Sequence, residues 1–263
     1  MRFVRYQYGS DAPRYGWILG DRVGPLDGSP VGAYRRLDAD TPLERVRLLA
    51  PILPGKIICV GRNYVEHARE HGEEVPDVPL LFFKPPTSVI GPGQPVLLPP
   101  QSLRVEHEGE LAAVIGKAGR WIPAERADEY ILGYTAANDI TARDLQRRDG
   151  QWTRAKGFDT FCPLGPWIET DLETADVLIT CRVNGEMRQM ASTREMVFTI
   201  SQLIAFVSSI MTLLPGDVLL TGTPAGVGLL EEGDMVEVDI EGLGALRNPV
   251  RKDAGKFAYL SGE

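Results

Sequence analysis

No two residues constrain this chain more than Asn184-Gly185. Both central positions of a type I′ turn need positive φ, and Asn-Gly meets that demand, so the dipeptide joins two strands in a tight hairpin. On its N-terminal side Val177, Ile179, Cys181 and Val183 alternate with outward residues, the period of a half-buried strand. The pattern recurs along the chain. Residues 56–60 and 80–83 are short apolar runs, 110–115 run on into Gly116, and 218–220 precede Val236, Val238 and Ile240, which alternate with Glu237 and Asp239. With 28 glycines and 20 prolines, turns are frequent and strands short. Helical spacing is confined to about residues 64–71, 124–132 and 196–213. Strands do not alternate regularly with helices, which disfavours a doubly wound α/β sheet. The expected fold is mainly β with a few helices packed on it, of the α+β class.

At 263 residues the chain has room for one or two domains. Residues 1–50 read as a small β unit: Val4, Tyr6 and Tyr8 alternate with Arg5 and Gln7, and Gly20-Asp21 makes a hairpin-like turn. Pro51-Ile52-Leu53-Pro54-Gly55 reads as a rigid connector into a second unit, 51–263. Twenty-eight Lys and Arg against 36 Asp and Glu leave a net charge of -8, with no basic stripe to hold phosphates, so no nucleic-acid partner is expected. Residues 196–214 approach membrane length but carry Thr199, Ser201, Gln202, Ser208, Ser209 and Thr212, so no membrane partner is expected either. Cys59, Cys162 and Cys181 form no CxxC pair and no His-linked nucleophile. They read as structural thiols in a reduced, cytoplasmic setting, and the N-terminus lacks the apolar core of a signal peptide.

Several short segments can carry chemistry. In Val105–Leu111, a strand places Glu106, Glu108 and Glu110 on one face, with Glu108 and Glu110 about 7 Å apart at the backbone. Such a pair can lean onto one hard cation, or can simply be a solvated strand face. Asp139, after the apolar run 131–137, is either a helix N-cap or a third oxygen ligand. Glu108, Glu110 and Asp139 together suit Mg²⁺, and no Cys or His stands at zinc spacing. Asn63 and Glu66 read as a capping box opening a helix on which His67 and Glu70 lie at i and i+3, with His71 on the same helix. A carboxylate beside an imidazole is the orienting half of a general base, or two charges on an exposed helix. Lys84 ends a buried strand. Lys156, between Trp152 and Phe158, either snorkels to solvent or stabilises an oxyanion in a pocket. The loop Thr221-Gly222-Thr223-Pro224-Ala225-Gly226-Val227-Gly228 lacks the signatures of a nucleotide cradle. Its glycines suit close approach to a small anion, with Thr223 offering a hydroxyl.

In order, GRNYVEHARE, FFKPPTS, VEHEGELAAVIG, NDITARDLQ, WTRAKGFDTF, VNGEMRQ and LLTGTPAGVG resemble the fumarylacetoacetate hydrolase family over about residues 56–250. The leading MRFVRYQYG unit looks like the small domain found on many bacterial members. The resemblance implies a mixed β-roll core, a homodimer, a Mg²⁺ or Mn²⁺ cofactor and a small 2-oxo acid substrate. It places metal ligands at Glu108, Glu110 and Asp139, catalytic groups at His67, Glu70 and Lys156, and substrate contacts at Arg143, Gln146 and Thr223. The implied activity is that of a 2-hydroxyhepta-2,4-diene-1,7-dioate isomerase or decarboxylase in aromatic catabolism. Acylpyruvate hydrolysis and oxaloacetate decarboxylation stand as alternatives, as does non-catalytic metabolite binding on the same fold.

Overall fold

The computed structural model describes residues 1–70 and 72–255. His71, which the sequence puts on the helix of His67, lies outside the described residues. The chain is mostly strand, with a small N-terminal domain, as expected. Among the described residues a 13-stranded sheet forms the spine, accompanied by a five-stranded and a three-stranded sheet. The first strand, Arg2–Tyr8, pairs antiparallel with Cys162–Glu169, matching Arg2 to Glu169 and Phe3 to Ile168. The N-terminal strands therefore extend the main sheet. Sequence patterning does not reveal Cys162–Glu169, because Pro163, Gly165 and Pro166 interrupt it.

Strand Gly109–Ile115 is fully buried, and its two faces feed different cores. Leu111, Ala113 and Ile115 share one cluster with Ile179, Cys181, Val236 and Val238 of the five-stranded sheet and with Leu203, Ile204 and Val207 of helix Ile200–Ile210. Ala112 and Val114 belong to the other, with Ile57, Cys59, Val218 and Leu220. Burial on both sides explains why the segment is a continuous apolar run and not an alternating one. The expected hairpin is present: Leu178–Val183 and Glu186–Ser192 pair antiparallel across Asn184 and Gly185, whose φ values are 53° and 82°.

Four local expectations change. The helix expected over 196–213 covers only Ile200–Ile210, because Thr199 and Gln202 form a capping box that starts it later. Residues Ala124–Tyr130 form a 3₁₀ helix. Asn63 caps no helix: its amide donates to Phe198 O at 3.0 Å and Thr221 O at 2.8 Å and accepts the Phe198 N–H at 2.8 Å. It ties the entrance of helix Val65–Glu70 to the glycine loop. The strand drawn through Val105–Leu111 breaks at Glu108, so Val105–His107 and Gly109–Ile115 belong to different sheets.

Candidate active site

That break brings three carboxylates together. Gly109 pairs with Asn138 and Glu110 with Ala137, so the strand Ile131–Asn138 ends beside Glu108. There the Asp139 N–H donates to Glu108 O at 2.8 Å, and Asn138 Oδ1 accepts the Glu108 N–H at 2.9 Å. Carboxylate oxygens of Glu108, Glu110 and Asp139 lie within 4.8 Å of one another, and all three residues are buried. The helix that follows, Arg143–Asp149, has Ala142 at its N-cap and no side-chain cap, so Asp139 does not cap it.

Cations hold the acids in place. Lys156 Nζ donates to Glu108 Oε2 at 2.7 Å and to Asp139 Oδ2 at 2.6 Å; it is 2% exposed and does not snorkel to solvent. Lys84 Nζ donates to Asp139 Oδ1 at 2.5 Å. Arg143 Nε donates to Glu106 Oε2 at 2.6 Å, its Nη2 to Glu108 Oε1, and its Nη1 to Gln146 Oε1 at 2.6 Å. Burial alone would raise the Glu108 carboxyl, but Lys156 and Arg143 outweigh it and hold it well below the ordinary carboxylate range. Glu110 goes the other way: burial, then the facing Asp139 and Glu108, push it well above its ordinary value. The Gly222 N–H donates to Glu110 Oε2 at 2.7 Å. Three clustered oxygen donors, one of them strained by its like-charged neighbours, suit a hard divalent cation, and each oxygen keeps a lone pair beyond its present bond.

Above the acids opens a cleft of about 390 Å³ whose lining includes His67, Glu108, Glu110, Arg143, Lys156 and Thr223. Gln146 also lines it. Asp139, 0% exposed, lies beneath. His67 Nδ1 is 3.7 Å from Glu70 Oε2. Glu70 stands outside the lining and accepts the Gly226 N–H at 3.1 Å, which ties the helix to the glycine loop. The Thr223 hydroxyl donates to Gly109 O at 2.9 Å and accepts from Gln189 Nε2 at 2.7 Å. All three cysteines are buried, and burial pushes the Cys162 and Cys181 thiols up to about 12, consistent with structural roles.

Sequence reasoning passed over Gln189. Its Oε1 accepts the Gly109 N–H at 2.9 Å and faces His107 Nδ1 at 3.1 Å, while Nε2 donates to Thr223 Oγ1 and to Pro224 O, each at 2.7 Å. The available signal was a polar residue on the inward phase of a strand: Gln189 is 1% exposed between exposed Arg188 and Met190. Arg62, Glu73 and Arg147, at the same cleft, went equally unread.

With fold and site in view, the chain belongs to the fumarylacetoacetate hydrolase family. The family model for the fumarylacetoacetate (FAA) hydrolase C-terminal region matches residues 56–251, and an Rv2993c-like N-terminal model matches residues 1–51. It is similar to the solved structure of 5-carboxymethyl-2-hydroxymuconate delta-isomerase from Mycobacterium smegmatis, with TM-score 0.90 and 48% identity over 96% of this chain and 100% of that one. It is also similar to that of 2-hydroxyhepta-2,4-diene-1,7-dioate isomerase from Mycobacterium marinum, with TM-score 0.90 and 44% identity over 97% and 100%. A further relative is the mitochondrial oxaloacetate tautomerase Fahd2a of Rattus norvegicus, 47% identical over 233 residues, covering 83% of this chain and 74% of that protein.

Proposed function

We propose that this protein isomerises or decarboxylates a 2-oxo or 2-hydroxy-dienoic dicarboxylate through an enolate, in the manner of a 2-hydroxyhepta-2,4-diene-1,7-dioate isomerase. One observation carries the reading: Glu108, Glu110 and Asp139 converge within 4.8 Å at the floor of a cleft that His67 and Lys156 also line. The names of the three similar proteins, two isomerases and a tautomerase, share one chemical demand, the relocation of a proton next to a carbonyl.

When bound by Glu108, Glu110 and Asp139, Mg²⁺ or Mn²⁺ supplies positive charge to the keto and carboxylate oxygens of the substrate. The chain's own groups do the rest. The Lys156 ammonium, fixed by two carboxylates, stabilises negative charge that builds on the keto oxygen. His67 takes a proton from one carbon and returns it to another, and Glu70 orients its ring. Arg143 and Gln146, bonded to each other, and Thr223 border the space for the chelating end. The proposal extends to a cytoplasmic homodimer with a small-molecule substrate. No helix among the described residues is long and apolar enough to cross a membrane.

The test is turnover of 2-hydroxyhepta-2,4-diene-1,7-dioate, oxaloacetate and acetylpyruvate with Mg²⁺, with Mn²⁺ and with EDTA, alongside Glu108→Ala. Metal-dependent loss of the diene or of the oxaloacetate enol, abolished in the variant, is the expected result. Turnover of acetylpyruvate alone would replace isomerisation by hydrolysis. Turnover that EDTA leaves untouched would overturn the mechanism.

A further inference from the structure

The acids and their cations occupy the bottom of the cleft, yet two more guanidinium groups line it. Arg147 lies four residues after Arg143 on helix Arg143–Asp149, on the same face and about 6 Å further along the axis. Arg143 is buried against Glu108, so Arg147 stands one turn above it, exposed at the mouth. Arg62 reaches the same cleft from the end of strand Ile57–Gly61. Its φ is 58°, a left-handed conformation rare for a residue with a Cβ, and such outliers collect where a side chain must be aimed. Its Nη2 is 3.0 Å from Glu73 Oε1, so the mouth carries two positive charges against one negative. Between mouth and floor runs an apolar wall, Phe82 packed edge-on against Trp152 with ring centroids 5.1 Å apart.

We infer that Arg62 and Arg147 form a distal carboxylate site that selects 2-oxo dicarboxylates over 2-oxo monocarboxylates. This rests on the proposed binding of a 2-oxo acid at the floor, and adds which end of the substrate the mouth reads. A chelating head meets the carboxylate floor, a short carbon chain crosses Phe82 and Trp152, and a second carboxylate meets the two guanidiniums. The net charge of -8 sharpens the point: a dianion approaches this protein against its overall charge, so local positive charge must be placed at the entrance. Arg147 is exposed and Arg62 half-buried, so both can change without disturbing the buried ion pairs.

The experiment is calorimetric binding to the Mg²⁺-loaded protein of three probes that carry no β-carboxylate to lose: oxalate, 2-oxobutanoate and 2-oxoglutarate. Wild type is expected to bind 2-oxoglutarate about tenfold or more tightly than 2-oxobutanoate, the range of one or two charge-assisted bonds. Arg62→Met with Arg147→Met should erase that ratio while leaving oxalate affinity within about twofold, and Arg147→Lys should keep part of it. Oxalate binding with no preference for 2-oxoglutarate in wild type, or a preference that survives in the double variant, overturns the distal site alone. Wild type that binds none of the three overturns the site and the 2-oxo acid reading together.

Discussion

Glu70 accepts the backbone N–H of Gly226 at 3.1 Å and stands 3.7 Å from His67 Nδ1 through the same Oε2. One carboxylate thus joins a short helix to the glycine loop that closes the other side of the cleft. Gly226 has φ 97°, and a Cβ there would meet Arg188 O at 2.0 Å, so the loop backbone that binds Glu70 is available to glycine alone.

The two roles of Glu70 separate by substitution. Glu70→Gln keeps an oxygen for Gly226 but removes the charge beside His67; Glu70→Ala removes both. The glutamine variant should keep its melting temperature and lose about 10²-fold or more in kcat, at the low end for a positioned acid–base group. The alanine variant should lose activity and some thermal stability. Wild-type kcat in Glu70→Gln would remove Glu70 from the mechanism.

Lys156 answers for two buried negative charges at once. Lys156→Met leaves Glu108 with Arg143 and Asp139 with Lys84, each short of one partner. Breaking buried pairs from one side costs about 3–5 kcal/mol, and that loss should show in urea unfolding of metal-free protein. Saturating Mg²⁺ should recover part of it, because the cation brings charge to the same oxygens. An Mg²⁺ response no larger than that of wild type would argue against a shared electrostatic site.

Glu110 makes metal-free stability depend on pH in an unusual direction. Its folded pKa is raised, so between its ordinary value of 4.5 and that raised value the folded chain holds a proton that the unfolded chain has released. Stability from this group is therefore fully present below 4.5 and is lost as pH rises through the folded pKa. Glu110→Gln carries no such proton. In EDTA, wild type should lose ground to Glu110→Gln from pH 5 to pH 8, at about 1.4 kcal/mol per pKa unit. Mg²⁺ should reverse the order at pH 8, since binding expels the proton. A wild type that gains on Glu110→Gln as pH rises in EDTA would mean that the carboxyl is not raised.

What could be read in advance, and what could not, follows from how far each group sits from its partners along the chain. Glu108 and Glu110 are two residues apart and His67 and Glu70 three, so each pair was legible as chain neighbours, although the break of the strand at Glu108 was not. Thr223 and the strand beside Asp139 stood out for short-range reasons too, a glycine loop and an apolar run. The ion pairs did not: Lys84 reaches Asp139 across 55 residues and Arg143 reaches Glu106 across 37. Asn63 shows the converse error. Its spacing to Glu66 fits a cap, but partners at Phe198 and Thr221, over a hundred residues away, take its amide instead. The hairpin at Asn184-Gly185 was legible because positive φ is a local demand. The strand Cys162–Glu169 was not, because neighbouring strands hold it against its own prolines.

Gln189 belongs to the unread class, and its position makes a strong demand. It stands where the alternation of strand Glu186–Ser192 calls for an apolar residue, and an amide survives there because both of its ends are bonded. The Gly109 N–H that it satisfies lies between Glu108 and Glu110, so the same bond sets the spacing of the two carboxylates. Gln189→Leu would leave that N–H and the Pro224 carbonyl buried without partners, at about 1–3 kcal/mol each. A loss of about 3 kcal/mol should lower the melting temperature by about 6–12 °C for a chain of this size. Mg²⁺ affinity should fall about 10-fold or more, since groups that orient ligands carry that much. Arg188→Leu, one residue away and exposed, should stay within about 0.5 kcal/mol of wild type. A Gln189→Leu protein that melts lower but binds Mg²⁺ like wild type would make the glutamine a core residue only, and would free the Glu108–Glu110 spacing from its control.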